Sequence, residues 1–576
     1  MSVRGRRSPG AVDDAAPRPL RWPWFLSDQG LLTAACVVVG VGIVASVMML
    51  LIATDVRGPD RAKLQIEAIK YGLGFVAAGG AAAALLLAVR RQRLSEHTHE
   101  LELRKHAHTE ADATERRVTD LYTKAAEQLG STDAAVRLAG LYALERLAQN
   151  NPAQRQTIVN VLCAYLRMPY TPPPAPAPLA SRTPAPPNEL PLPAPVSATA
   201  DARTAHQELQ VRLTAQRILT AHLRLPADLE PQQAAAVAPD PCQTFWPAMD
   251  LDLTGATLMA WDVDQAHVHH AAFAAATFHG PASFANASFT GTARFGGAEF
   301  TGDARFAEAI FADQADFDAA TVAGVAEFTQ AVFAEDVGFR HATFQGVADF
   351  AEATFSGGAW FRDATFHVNA EFRGAAFGLE ADFRQATFEE NAGFRDVVFS
   401  AKADFDRATF SGGGWFGEAT FCGNAWFRKT RFRDVAWFGK AHFGADARFR
   451  TAAFAGDTAF RTATFDGIAE FSRASFAAEA VFDEATFAAS AWFGEGNFAG
   501  RTSFHTTTFA DAAWFSDTIF LGDTGFAEAR FAAGAALEEA RVLPREDRND
   551  TWPRGWWLVP GTEFGRLLHS PADTAG

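Results

Sequence analysis

The chain has 576 residues, a mass of 62.0 kDa and a net charge of -16 from 51 basic and 67 acidic side chains. That acidity argues against a general nucleic-acid binder, which needs a basic surface to neutralise phosphates, and four widely separated cysteines exclude a disulfide-rich secreted scaffold and a CxxC zinc site. The 51 phenylalanines beside only 5 tyrosines indicate one element that is repeated many times.

The N-terminal part carries two uncharged runs after a basic tail, residues 1–30. Residues 31–53 are uncharged and long enough, at about 1.5 Å per residue, to cross a hydrocarbon core of ~30 Å, and they predict a transmembrane helix. Residues 71–89 predict a second span, in which the many Ala and Gly residues favour helix–helix contact. A buried helix of a soluble domain is the alternative for this second run.

The basic residues near the two runs predict the orientation. Five arginines lie in the N-terminal tail, and the segment after the second run opens with Arg90, Arg91 and Arg93. Because positive charges stay on the cytoplasmic side, we expect a hairpin with both ends in the cytoplasm. The loop between the runs has four basic residues, so the asymmetry is modest.

Helices and a linker follow the second run. Residues 90–168 predict a juxtamembrane helical region, first a polar helix and then a helical hairpin whose apolar stripe needs a partner surface. Residues 169–200 form a Pro-rich linker, with 12 prolines between Pro169 and Pro195. Residues 205–225 predict a short amphipathic helix.

Phenylalanine then recurs with a strict period. One series runs every eleven residues from Phe273 to Phe526, and a second runs from Phe278 to Phe531 with Val322 as its one exception. The two series contain 47 of the 51 phenylalanines. The unit is A-x-F-x-x-A-x-F-x-x-x, in which steps of five and six residues alternate.

The repeat is better explained by strands than by a helix. In an α-helix, five residues at 100° each would place the two series about 140° apart and leave no single apolar stripe. In an extended segment, the Ala and the Phe point to one side and the residue before each Phe points outward.

Upstream of Phe273 the apolar residues recur every five residues, at Leu253, Leu258, Val263 and Val268. Residues 253–542 therefore resemble the pentapeptide-repeat family, in a Phe-rich eleven-residue variant. The resemblance implies a mainly β fold, a right-handed quadrilateral β-helix with four units per coil. The extra residue in each pair of units predicts bulged corners and coils of 22 residues, about thirteen in all, capped by residues 543–576.

The paired hydrophobic runs, followed by the helical stretch, also resemble uncharacterised bacterial membrane proteins that carry such repeats. This resemblance implies the bacterial plasma membrane as the location, with the N-terminal tail and the repeats in the cytoplasm.

Tryptophan occupies the outward position before Phe six times. Partners and self-association favour exposed tryptophans, so these residues form the candidate interaction surface, with simple ladder packing as the alternative. With 22 residues per coil, two pairs should stack in adjacent coils. The six residues are Trp360, Trp415, Trp426, Trp437, Trp492 and Trp514.

The charge of the repeat is uneven. Residues 271–542 carry 36 acidic and 21 basic side chains, but residues 401–450 carry 9 basic and 5 acidic ones. This basic belt is either a docking site or a chance feature of a solvated face.

The sequence contains no phosphate-binding loop, HExxH or GxSxG motif, and it predicts no enzyme, cofactor or metal site. His267, His269 and His270 have no acidic or Cys partner at ligand spacing along the chain. We therefore expect a membrane-anchored scaffold for an unknown protein partner. The alternative is a DNA-mimic regulator of an enzyme such as gyrase, without direct nucleic-acid binding, and self-association stays open.

Overall fold

The computed structural model describes residues 28–55, 58, 60–173, 200–226, 229 and 243–569. The chain divides into two compact units, Met1–Thr119 and Asp120–Gly576. Most of the predicted N-terminal tail and most of the Pro-rich linker lie outside the described residues.

The first unit contains two long helices, α1 (Asp28–Thr54) and α2 (Asp60–Leu129). Glycines lie where the two helices touch: a Cβ on Gly42 would be 3.1 Å from Cβ of Phe75, and one on Gly79 would be 2.9 Å from Val38. The predicted helix–helix contact through small residues is thus confirmed. Helix α2 does not end at residue 89, because the polar stretch that follows has no Gly or Pro to break it.

Three shorter helices open the second unit: α3 (Ala134–Asn150), α4 (Arg155–Arg167) and α5 (Ala200–Leu223). Helix α3 begins after Asp133, whose side chain accepts a hydrogen bond from the backbone N–H of Ala135. The apolar stripe of α3 and α4 packs against α5 and the first strand of the solenoid, which supply the partner surface that the sequence required. Helix α5 starts five residues earlier than predicted.

Residues 251–542 form a β-solenoid with four parallel sheets, which we call faces 1 to 4 in the order in which the chain visits them. Each face is a ladder of short strands. Face 1 runs from Leu251–Asp252 to Ala535–Ala536, face 2 from Thr257–Met259 to Arg541–Val542, face 3 from Ala282–Ser283 to Thr524–Gly525, and face 4 from His267–Val268 to Arg530–Phe531.

The strand register confirms the predicted coil. Leu251 pairs with Ala271 in the first coil, a step of 20 residues, and Ala304 pairs with Ala326, a step of 22. Steps of five residues turn the corners between faces 1 and 2 and between faces 3 and 4, and steps of six turn the other two. The extra residue therefore lies in a corner, as expected.

Stacked phenylalanines fill the interior. The Phe394 ring lies 4.8 Å, centroid to centroid, from Phe372 below it and from Phe416 above it, with almost parallel planes. Its neighbour in the other ladder direction, Phe383, meets it edge to face at 5.4 Å. The predicted Phe ladders are thus confirmed, with both favourable aromatic geometries in every coil.

Both ends of the solenoid are covered. At the start, Phe245 and Trp246 are buried against the helices and the first coil. At the end, two antiparallel strands, Trp556–Val559 and Gly565–His569, extend face 2, and Trp552 packs against Phe520 and Phe526. These contacts cover apolar rings that the last coils would otherwise expose.

Candidate interaction surface

The six outward tryptophans fall on two opposite faces. Trp360, Trp426, Trp492 and Trp514 lie on face 1, whereas Trp415 and Trp437 lie on face 3. The register pairs Trp415 with Trp437 and Trp492 with Trp514 in adjacent coils, so the predicted stacking is confirmed. Their role in partner binding stays a prediction.

Two of the tryptophans are covered by cations of the same chain. Lys402 Nζ lies 3.8 Å from the Trp426 ring centroid, and the guanidinium of Arg428 lies 4.4 Å from it. Arg340 lies 5.4 Å from the ring of Trp360. Because cations occupy these indoles, the two residues are half-buried and offer little ring surface to a partner.

The other four indoles are open. Trp415, Trp437 and Trp492 are 39–40% exposed, and Trp514 is 48% exposed. No cation of the described residues lies over these four rings. The candidate surface is therefore reduced from six residues to two pairs, one on each of two opposite faces.

Glycines leave room for the Trp415–Trp437 pair to lie close to the backbone. A Cβ on Gly413 would be 2.6 Å from Nε1 of Trp415, and one on Gly439 would be 2.8 Å from Nε1 of Trp437. Gly413 precedes its tryptophan and Gly439 follows its own, so the two indoles lean to opposite sides and together cover the width of face 3.

On face 1, the coils before Trp426 carry two buried carboxylates with their own cations. Asp382 receives a salt bridge from Arg384 at 2.6 Å, and Asp404 receives one from Lys402 at 2.9 Å. Burial raises the pKa of the Asp404 carboxyl, although its hydrogen bond with Lys402 lowers it. We call Asp382, Asp404 and Trp426 the face-1 row.

On face 3, a similar row has no such cations. Asp349, Glu371, Gly393, Trp415 and Trp437 follow one another in five consecutive coils, and we call them the face-3 row. Neither Asp349 nor Glu371 forms an ion pair with a described residue. Burial raises the pKa of Glu371, and the nearby Asp349 carboxylate raises it further, against the opposing effect of Arg373.

The face-3 row was not found from the sequence, although a signal existed. Its members are spaced by 22 residues, the period used to align the phenylalanines and tryptophans. Glu371 and Asp382, which the sequence shows eleven residues apart, lie on opposite faces and cannot act as a pair.

The predicted basic belt divides into two groups. Five of its nine cations pair with carboxylates: Lys402, Arg428, Lys440, Arg448 and Arg450. The other four are exposed and form no ion pair with a described residue, and they lie on face 2 and its two corners. These four are Arg407, Lys429, Arg431 and Arg433. The belt as a docking site stays a prediction.

The expectation that the histidine group lacks an acidic partner is wrong. The coil places Asp250 beside His269 and His270, and one ligand atom of each lies within 4.8 Å of the others. Asp250 Oδ1 is 2.9 Å from His269 Nδ1 and accepts a hydrogen bond from the His270 backbone. His270 Nδ1 accepts a hydrogen bond from the Thr292 N–H. These internal hydrogen bonds occupy the atoms that a metal ion would use.

Comparison with known protein families identifies the repeat. Residues 264–441 match the family model "Pentapeptide repeats (9 copies)" in four overlapping segments, 264–310, 306–354, 350–398 and 394–441. The expected repeat type is thus confirmed in this part of the chain, and the same 22-residue register continues to Arg541–Val542. No curated protein and no solved structure matches the chain significantly.

Proposed function

We propose that this chain is a membrane-anchored scaffold whose pentapeptide-repeat solenoid presents a rigid acidic surface to partner proteins in the bacterial cytoplasm. The observation that carries the proposal is the presence of two open tryptophan pairs on a stiff ladder of strands. Apolar surface of this kind usually marks a contact site, because water solvates it poorly.

The membrane anchor is supported by the first two helices. Leu32–Thr54 and Asp60–Val89 are long and apolar enough to cross a bilayer. Their large side chains are mostly exposed, such as Leu32 at 67% and Val44 at 66%. The core helix of a soluble protein would bury these groups, whereas lipid would cover them here.

The anchor is tested by removing residues 28–89. We expect the full chain to stay in the membrane fraction after washing with alkaline carbonate, and the shortened chain to appear in the soluble fraction. A full chain that the wash releases would contradict the anchor.

The scaffold is tested by proximity labelling in native membranes with the tag at the C-terminus. We expect a small set of proteins to be labelled by the full chain and not by a control that lacks residues 253–542. Equal labelling by the two proteins would contradict the scaffold. Altered supercoiling by gyrase in the presence of the full chain would instead favour the DNA-mimic alternative.

A further inference from the structure

The two rows of carboxylates and tryptophans on opposite faces differ in one respect. In the face-1 row, Arg384 and Lys402 neutralise the buried carboxylates, and Lys402 also lies over the Trp426 ring. In the face-3 row, two carboxylates and two open indoles are present, but no described cation is paired with them. The chain itself therefore shows which group completes such a row.

We propose that the face-3 row binds lysine or arginine side chains of an extended segment of a partner protein. This inference rests on the proposed function as a scaffold and names the surface and the chemistry of the partner. A cation beside Asp349 and Glu371 would relieve the repulsion between two carboxylates, and a second cation would lie over an indole, as Lys402 does on face 1.

The dimensions of the row fit an extended peptide. Adjacent coils are about 4.8 Å apart, so the four steps from Asp349 to Trp437 span roughly 19 Å, about six residues of extended chain. Gly393 lies between the carboxylates and the indoles and adds no side chain that would obstruct the peptide.

The charge of the solenoid favours the same partner. Residues 271–542 carry 36 acidic against 21 basic side chains, and this excess attracts cationic segments at long range. Attraction by the whole solenoid is not specific, however, so the test must separate the row from the overall charge.

The first test measures the anisotropy of a fluorescein-labelled oligoarginine peptide with the full chain in mild detergent at physiological salt. We expect the double variant Trp415→Ala/Trp437→Ala to bind about tenfold more weakly than the wild type. The matched control, Trp492→Ala/Trp514→Ala, removes an equally exposed pair from face 1 and should leave binding unchanged. Equal losses in both variants, or no loss in either, would overturn the proposal.

The second test separates local from overall charge. Asp349→Asn/Glu371→Gln removes two charges from the row and keeps the oxygens that accept backbone hydrogen bonds from Ala351 and Arg373. We expect roughly tenfold weaker binding. Glu484→Gln/Glu528→Gln removes the same charge from exposed corners and should have little effect. If the two variants bind equally, the peptide responds only to net charge and the row is not a site.

A third variant fills the row without removing any of its members. A Cβ on Gly393 would lie 2.6 Å from Oε1 of Glu371, the mobile end of a flexible side chain. Gly393→Lys should therefore supply a cation in cis and weaken peptide binding severalfold, whereas Gly393→Ser should not. Unchanged binding by the lysine variant would contradict the proposal, as would stronger binding of an oligoglutamate peptide or an oligonucleotide by the wild type.

Failure of this inference is distinguishable from failure of the scaffold. If labelling of partners depends on residues 253–542 but is unaffected by Trp415→Ala/Trp437→Ala, the face-3 row is not the docking site and the scaffold stands. If no labelling depends on the repeats, the scaffold itself fails.

Discussion

Each residue that precedes a phenylalanine points away from the core, and its neighbours one coil away decide how much of it stays accessible. Trp426 and Trp415 occupy the same kind of position in the repeat unit. Lys402 and Arg428 cover the first, whereas glycines surround the second. The identity of an outward residue therefore does not determine its accessibility, and only the stacked coils show it.

His267 is an outward residue that the N-terminal helices have buried. It is 1% exposed, it lies beside Phe245, and neither ring nitrogen has a hydrogen-bond partner among the described residues. Burial lowers the pKa of its imidazole. The ring is therefore neutral in the folded protein and takes up a proton more readily in the unfolded chain.

This difference predicts that acid weakens the first coil. The contribution to stability is complete above the unfolded pKa of about 6.5 and is lost as the pH falls below it towards the lowered folded pKa. We expect the midpoint of thermal unfolding to fall between about pH 7.5 and about pH 5.5. The variant His267→Val should show a smaller fall, and an equal fall in both proteins would contradict the prediction.

At the scale of the repeat element, one residue in every eleven adopts a left-handed backbone conformation. These residues recur from Ala275 to Glu539, and within this series only Gly297 and Gly374 are glycines. The corner turns of five residues require this conformation, which ordinary L-residues adopt at a cost.

Thr462, with φ of 55°, is poorly suited to its corner because it is β-branched. We expect Thr462→Asn to stabilise the protein by about 0.5–1 kcal/mol, measured by urea unfolding, since Asn tolerates this conformation. Thr464→Asn, the same change two residues later in a face-4 strand, should give no gain. A gain at both positions would show that the backbone conformation is not the cause.

The Phe ladders make each coil depend on the coils above and below it. We expect Phe394→Ala to destabilise the solenoid by about 3–5 kcal/mol, because the ring is fully buried between two stacked rings. Phe531→Ala should cost less, since that ring is half-buried and stacks on Phe509 alone. Urea unfolding followed by circular dichroism tests this order, and equal losses would contradict it.

At the scale of the folded unit that holds the repeats, the helices and the solenoid are one structure. Trp246 is fully buried between them: its ring stacks on His222 at 3.8 Å, and its Nε1 donates a hydrogen bond to Gln149. The helical hairpin that the sequence predicted as a juxtamembrane element is therefore also the cover of the first coil.

The variant Trp246→Ala should loosen this cover. We expect proteases to cut α3 to α5 faster in the variant, while the later coils stay resistant, because each coil contacts only its neighbours. Trp514→Ala, which removes an exposed indole, serves as the control and should leave the cleavage rate unchanged. Equal resistance of all three proteins would show that Trp246 does not hold the helices.

Much of the fold follows from local spacing. The register of Phe273 to Phe526 predicts the coil length, the ladders and the face of each tryptophan, because a solenoid repeats the same short pattern and its long-range contacts lie one period away. The same reasoning predicted neither the cover at His267 nor the unbroken helix α2, since these depend on how different elements meet.

The sequence by itself determined the repeated strand, the inward phenylalanines, the outward tryptophans and two helices apolar enough for a membrane, because periodicity and composition act locally. Only the tertiary structure decided which charges are neighbours. It placed Lys402 over Trp426, Asp250 beside His269 and two unpaired carboxylates in line with Trp415. Side-chain contacts across coils depend on the direction in which each side chain leans, and spacing along the chain does not specify that direction.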